Sequence, residues 1–233
     1  MRIDKFLANS GYGTRKEIRA MIKQGIITAD GNAVKDVGMQ VDENNTDIRI
    51  NGQPAKYKKY IYIMLNKPKG VVSATFDKHL PTVVGLLDSY SLSFEPFPVG
   101  RLDIDTEGLL ILTNDGDMSH RLLSPKSHVK KIYYAKLNKP IDASDIKAFE
   151  EGVVIDDGYK TMGAHLEQAT GGAVVTVYEG KFHQVKRMFE AIGKNVTYLK
   201  RIQMGNLTLD ETLEPGQWRE LTDIEINLLC EGE

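Results

Sequence analysis

Gly100-Arg101-Leu102-Asp103-Ile104-Asp105-Thr106-Glu107-Gly108-Leu109-Leu110-Ile111-Leu112-Thr113 is the stretch whose reading decides this fold. Leu109–Thr113 is a strongly apolar run and reads as a strand. The residues just before it put Asp103, Asp105 and Glu107 at alternate positions beside Arg101. A loop at a strand edge holds a carboxylate rigidly against a substrate. Carboxylates attack electrophilic carbon or move protons. Acidic loops before buried strands are also common as plain surface turns, so these residues alone leave both readings open.

The surroundings of that strand mix strands and helices without strict alternation. Strands are expected at Ile61–Leu65, Val71–Thr75, Leu109–Thr113, Ile132–Leu137, Ala173–Glu179 and Tyr198–Leu209. Helices are expected at about 117–124, 143–151, 184–192 and 223–230. Asp142 reads as an N-cap, Gly152 and Gly193 as C-terminal stops, and Thr222-Asp223-Ile224-Glu225 as a capping box. This pattern predicts an α+β fold with a mixed, mostly antiparallel sheet.

Residues 1–59 read as a separate small domain, with a linker over about 52–60 and a larger domain at 60–233. Ile3, Phe6 and Leu7 form a short helical apolar stripe. Thr14-Arg15-Lys16-Glu17 is a second capping box. The helix it opens carries Ile18, Met21 and Ile22 on one face and Arg15, Arg19 and Lys23 on another. Asp30-Gly31 is a hairpin-type turn. This head carries 11 Lys/Arg against 7 Asp/Glu, and the remainder carries 19 against 25. A basic head on a mildly acidic body is a layout for binding a polyanion, although a solvated helix face explains the charges equally well.

The bulk numbers exclude several classes. Of 233 residues, 41% are hydrophobic and 27% charged, which supports a packed core. No apolar run approaches the ~20 residues of a membrane span, and the N-terminus has no signal-peptide pattern. Cys230 is the only cysteine, so no intrachain disulfide forms, which fits a reducing cytosol. There is no Cys/His cluster of zinc spacing, no P-loop and no dinucleotide fingerprint, so the expectation is no metal and no cofactor.

Gly100-Arg101-Leu102-Asp103 followed by Thr106-Glu107-Gly108-Leu109 resembles the signature loop of the pseudouridine synthases, in the branch of RsuA, RluB, RluE and RluF. Asn66-Lys67-Pro68-Lys69-Gly70, Ser119-His120-Arg121, Lys131-Ile132-Tyr133, Glu179 to Phe189, and Leu199-Lys200-Arg201 match the same branch in the same order. The pattern from Arg2-Ile3-Asp4 through Thr14-Arg15-Lys16-Glu17 to Asp30-Gly31 resembles the S4 RNA-binding module, and the match covers residues 1–59. The resemblance implies isomerisation of a uridine in ribosomal RNA, with Asp103 as nucleophile. Attack on C1′, attack on C6 and proton removal from C2′ stay open. It also implies that Tyr133 packs on an extruded base and that Lys186 pairs with Asp103. Leu199 and Val185 would wall the pocket. Arg101, Lys67, Arg187 and Arg201, with Arg15, Arg19 and Lys23, are candidate RNA contacts. A hydrogen-bonded structural role is expected for His183. The stretches 183–189 and 207–216 resemble the small-subunit (16S) enzyme more than its large-subunit (23S) relatives. The implied enzyme is a cytoplasmic monomer whose partner is 16S rRNA or a pre-ribosomal particle, away from any membrane. A non-catalytic S4-type assembly protein and a glycoside hydrolase using paired acids are the competing readings. The synthase motifs across three quarters of the chain weigh against the first, and the basic helix against the second.

Overall fold

The computed structural model describes residues 1–230, and the last three residues of the expected second domain lie outside it. The chain divides into two compact units, Met1–Ile61 with Leu87–Pro96, and Tyr62–Leu86 with the chain from Phe97 onward. A division at residue 60 alone therefore misses residues 87–96, which pack with the N-terminal unit.

In the first unit, α1 (Ile3–Asn9) and α2 (Arg15–Lys23) precede β1 (Ile27–Ala29), β2 (Asn32–Ala33), β3 (Ile48–Ile50) and β4 (Gln53–Pro54). The start of α2 is set by a reciprocal pair: Thr14 Oγ1 accepts from Glu17 N, and Glu17 Oε2 accepts from Thr14 N at 2.7 Å. Ile3, Phe6, Leu7, Ile18, Ile22, Ile27 and Ile48 form one apolar cluster. Asp30 and Gly31 both adopt positive φ, 49° and 78°, the two-residue turn that matches strand twist. The strand order is β2-β1-β3-β4. The expected linker is not free chain. Gln53–Pro54 pairs with β3, Lys56 N donates to Tyr12 Oη, and Lys58 N donates to Ser10 Oγ. The short helix α3 (Ser89–Leu92) completes this unit.

The second unit holds β5 (Tyr62–Lys67), β6 (Phe97–Pro98), β7 (Glu107–Thr113), β8 (Lys131–Leu137), β9 (His165–Ala169), β10 (Gly172–Val177), β11 (Val196–Met204), β12 (Leu207–Thr208) and β13 (Trp218–Glu220). Its helices are α4 (Gly116–Leu123), α5 (Ala143–Glu151), α6 (Gln184–Ala191) and α7 (Asp223–Cys230). The main path of the sheet runs β13-β5-β7-β11-β8-β10-β9, with β12 beside β11 and β6 beside β7. Among the strands of the described residues in this unit, only the β7–β11 pairing is parallel and the rest are antiparallel, in line with the α+β reading.

That parallel contact explains Gly108. Its φ is 100°, and a Cβ there would collide with the carbonyl oxygen of Arg201. A side chain at this position would push β11 off β7 and open the sheet at its middle. Leu109, Leu110, Ile111 and Leu112 are all fully buried, so β7 is covered on both faces and lacks the alternation of a half-exposed strand. One core cluster under α5 and α6 centres on Phe149 and Phe189, whose ring centroids lie 4.9 Å apart. A second, with α4 and α7, gathers Met64, Leu109, Ile111, Met118 and Met204.

Three sequence expectations change. Val71–Thr75 is not a strand: only Val72 bridges, to Thr82, and Ser73 turns its hydroxyl inward. Tyr198–Leu209 is broken by a turn between β11 and β12. Strands β6, β9 and β13 have no counterpart in the sequence reading. Among the described residues no helix is long and apolar enough to cross a membrane.

Candidate active site

The loop 100–106 leads into β7, and its backbone is clamped from below. Lys67, the last residue of β5, is fully buried. Its ammonium donates to the carbonyl oxygens of Pro68, Asp103 and Thr106 at 3.1, 3.0 and 2.9 Å. Gly70 N donates to Ile104 O at 2.7 Å. Ser73 Oγ donates to Leu102 O at 2.9 Å and accepts from Leu102 N at 3.0 Å. The peptide groups on both sides of Asp103 are thus fixed by buried bonds, leaving its side chain to project. Burial pushes the Lys67 ammonium down to about 8, against the pull of Asp103, Asp105 and Glu107. It keeps its proton at neutral pH, where the carbonyl cage needs a donor.

Helix α6 supplies the cation. Lys186 Nζ lies 3.1 Å from Asp103 Oδ2 and 2.6 Å from Asp105 Oδ1. Burial favours the neutral amine, but the two carboxylates outweigh it and hold Lys186 above its usual value. Burial likewise opposes ionisation of Asp105, and Lys186 overrides it, so Asp105 sits below the ordinary carboxylate range. Glu107, the third acid, is engaged elsewhere. It accepts from Tyr198 Oη at 2.9 Å, and burial with that bond pushes Tyr198 up to about 12. Asp103 and Asp105 thus share Lys186, while Glu107, the first residue of β7, faces Tyr198.

An open cleft receives Asp103. Tyr133, Val185 and Leu199 wall it, and Arg101 and His183 stand at its edge. Tyr134 points the other way, as strand alternation demands: its hydroxyl donates to Thr170 O and its ring meets Tyr198 edge-on at 6.4 Å. His183 Nε2 lies 3.5 Å from Asp103 Oδ1. His183 has φ of 50°, a left-handed conformation uncommon outside glycine, at the N-cap of α6.

The sequence profile of RNA pseudouridylate synthases matches residues 61–191, more than half of the chain and all of this cleft's acidic loop. The chain belongs to the RNA pseudouridylate synthase family. An S4 domain profile matches residues 1–47. An RNA pseudouridine synthase of Bacillus subtilis, YtzG, is 52% identical over 238 residues, covering 100% of both chains. The ribosomal small subunit pseudouridine synthases A of Vibrio cholerae and Escherichia coli are 40% and 39% identical, each spanning 97% of this chain and 98% of its own. The crystal structure of a pseudouridylate synthase superimposes with a TM-score of 0.69 at 37% identity, covering 98% of this chain and 99% of that one.

Within this synthase the structure brings Asp103, Tyr133, Lys186, Leu199 and Arg101 together around one cleft. Three expected RNA contacts are corrected. Lys67 is the buried clamp already described. Arg201 is 2% exposed and its Nε donates to Leu109 O at 2.8 Å, so it braces β7. Arg187 is spent on Asp156 and Asp157, with Nη2 2.7 Å from Asp157 Oδ2. Arg15, Arg19 and Lys23 are all exposed on α2. Two neighbours of Asp103 take parts that the sequence reading did not assign to them. Asp105 shares its cation, and His183 touches its carboxylate, where a plain structural role was expected. No helical spacing could have shown the part of His183, because it lies outside α6 in a left-handed conformation.

Proposed function

We propose that this synthase converts a uridine of small-subunit ribosomal RNA to pseudouridine, with Asp103 as its nucleophile. The observation that carries the reading is one carboxylate, on a clamped loop, ion-paired to Lys186 at 3.1 Å inside a cleft walled by Tyr133 and Leu199. The target class follows the Vibrio cholerae and Escherichia coli relatives, which are named for the small subunit. The overall change breaks N1–C1′, forms C5–C1′ and moves a proton from C5 to N1. Atoms and electrons balance within the substrate, so no oxidant or energy source is required. The base must leave its stack to reach the cleft, at a cost of a few kcal/mol. Asp103 then acts on the sugar or on the base, Lys186 pairs with it at 3.1 Å and fixes its orientation, and Tyr133 packs on the extruded ring. Arg101 takes a phosphate at the rim. The enzyme works as a cytoplasmic monomer on 16S rRNA or a pre-ribosomal particle.

Mapping pseudouridines in both ribosomal RNAs, from cells with and without the gene, tests this. One position in the small-subunit RNA is expected to revert to uridine. A lost position in the large-subunit RNA instead would overturn the target, and no lost position would overturn the activity.

The S4 domain is assigned affinity and no chemistry. Changing Arg15, Arg19 and Lys23 together to Ala should shrink the slope of log affinity against log salt by roughly 3 units, at ~0.9 per duplex phosphate. The single-turnover rate at saturating RNA should stay unchanged. An unaltered salt slope would mean that this helix face meets only water.

A further inference from the structure

Phe182 is a large apolar side chain that the fold leaves 74% exposed, at the end of a turn otherwise held rigid. Gln184, itself buried, accepts from Lys181 N and donates to Glu179 Oε1, both at 2.9 Å. Arg187 Nη1 donates to Phe182 O at 3.2 Å. The backbone under Phe182 is therefore fixed on both sides while its ring stands in water, where it gains nothing for stability. Behind that ring lies His183, stacked at 3.7 Å between centroids with 20° between planes. His183 reaches Asp103 with its Nε2 at 3.5 Å. Phe182 is thus one ring's thickness removed from a group that touches the reacting carboxylate. Exposed cationic side chains, Arg101 and Lys181, border the same cleft.

We propose that the Phe182–His183 pair is a stacking platform for the RNA base adjacent to the extruded uridine. This rests on the family activity and on Asp103 as the reacting group. When a uridine is taken out of its stack, its neighbour loses a partner on one face. An aromatic ring fixed at the cleft mouth replaces that partner and lowers the cost of extrusion. Every base has a π-face, so the platform reads no sequence and serves placement alone. The flanking cations suit the phosphates on either side of such a base. The left-handed residue His183 joins Phe182 to the start of α6, the helix that carries Lys186.

The test uses the full-length enzyme and a small-subunit ribosomal RNA transcript carrying tritium at uracil C5, whose release reports pseudouridine formation. Phe182→Ala, Phe182→Leu and Phe182→Trp are compared at subsaturating RNA under single turnover, and filter binding to the same transcript is measured beside them. Ala and Leu are each expected to lower the second-order rate about tenfold, and Trp to restore it, as loss of one stacked base implies. The Asp103→Asn protein carrying each Phe182 change should show the same order in binding, without any chemistry. Recovery by Leu equal to that by Trp would show an apolar cover in place of a stack and overturn the proposal, as would Ala at the wild-type rate and affinity. If the unmodified enzyme releases no tritium from this transcript, the proposed target fails. The same series on a large-subunit ribosomal RNA transcript labelled in the same way then decides the platform.

Discussion

Asp103→Asn is expected to lower pseudouridine formation by about three orders of magnitude or more, because an amide neither attacks carbon nor takes a proton as a carboxylate does. The substitution keeps the shape of the side chain. The bonds that hold the loop belong to the backbone around Asp103 and to Lys67 and Ser73, so they survive the change. Melting temperature and RNA affinity should therefore match the wild type, since a partly exposed isosteric change is usually worth under ~0.5 kcal/mol. The measurement is a single-turnover rate at saturating RNA with circular dichroism beside it. A rate within tenfold of wild type, a barrier change below ~1.4 kcal/mol, would falsify the assignment.

Lys186→Met is expected to lower turnover by about a hundredfold while leaving RNA affinity within a few fold, as loss of a charge that acts on the reacting group predicts. Met preserves much of the apolar stem and removes only the ammonium. Asp103 and Asp105 then face each other without the cation that both of them bind. Lys186 holds Asp105 below the ordinary carboxylate range, so without it the Asp105 carboxyl takes up its proton at a higher pH, beside the reacting group. The acid limb of the rate profile should consequently move to higher pH, and Lys186→Arg should move it back. Full activity with an unshifted profile would show that the pair is a surface contact with no part in the reaction.

The helices of this protein were legible because their signals are local. Thr14 with Glu17 and Thr222 with Glu225 close their boxes as read, and Asp142 caps its helix as read, with Asp145 adding a reciprocal bond that had not been assigned. The acidic loop was legible because its residues lie next to one another in the chain. What escaped is non-local. Lys67 looked like an RNA contact because lysine is usually exposed; its carbonyl partners at Asp103 and Thr106 lie 36 and 39 residues away. Arg201 and Leu109 are 92 residues apart. Val71–Thr75 reads as a strand by composition, yet the hydroxyl of Ser73 serves the Leu102 peptide and the segment pairs almost nowhere. Strand β9 was missed for the opposite reason: in His165–Ala169 only Leu166 is buried, so the sequence shows one apolar residue among polar ones.

The membership of residues 87–96 in the first unit bears on how such a protein is inherited and dissected. The chain leaves that unit after Ile61, re-enters it at Leu87 and leaves again after Pro96. A Cβ on Gly11 would strike the rings of Phe94 and Tyr90, and the Lys58 ammonium sits 5.7 and 5.6 Å from the ring centres of Tyr90 and Phe94. A gene fusion or deletion with one breakpoint near residue 60 would strand those aromatics on the wrong fragment and bare the surface they cover. Modules joined by a single tether recombine freely. Here a strip of one is threaded through the reading frame of the other, so exchange requires three simultaneous breakpoints, and the two units travel through evolution as one gene segment.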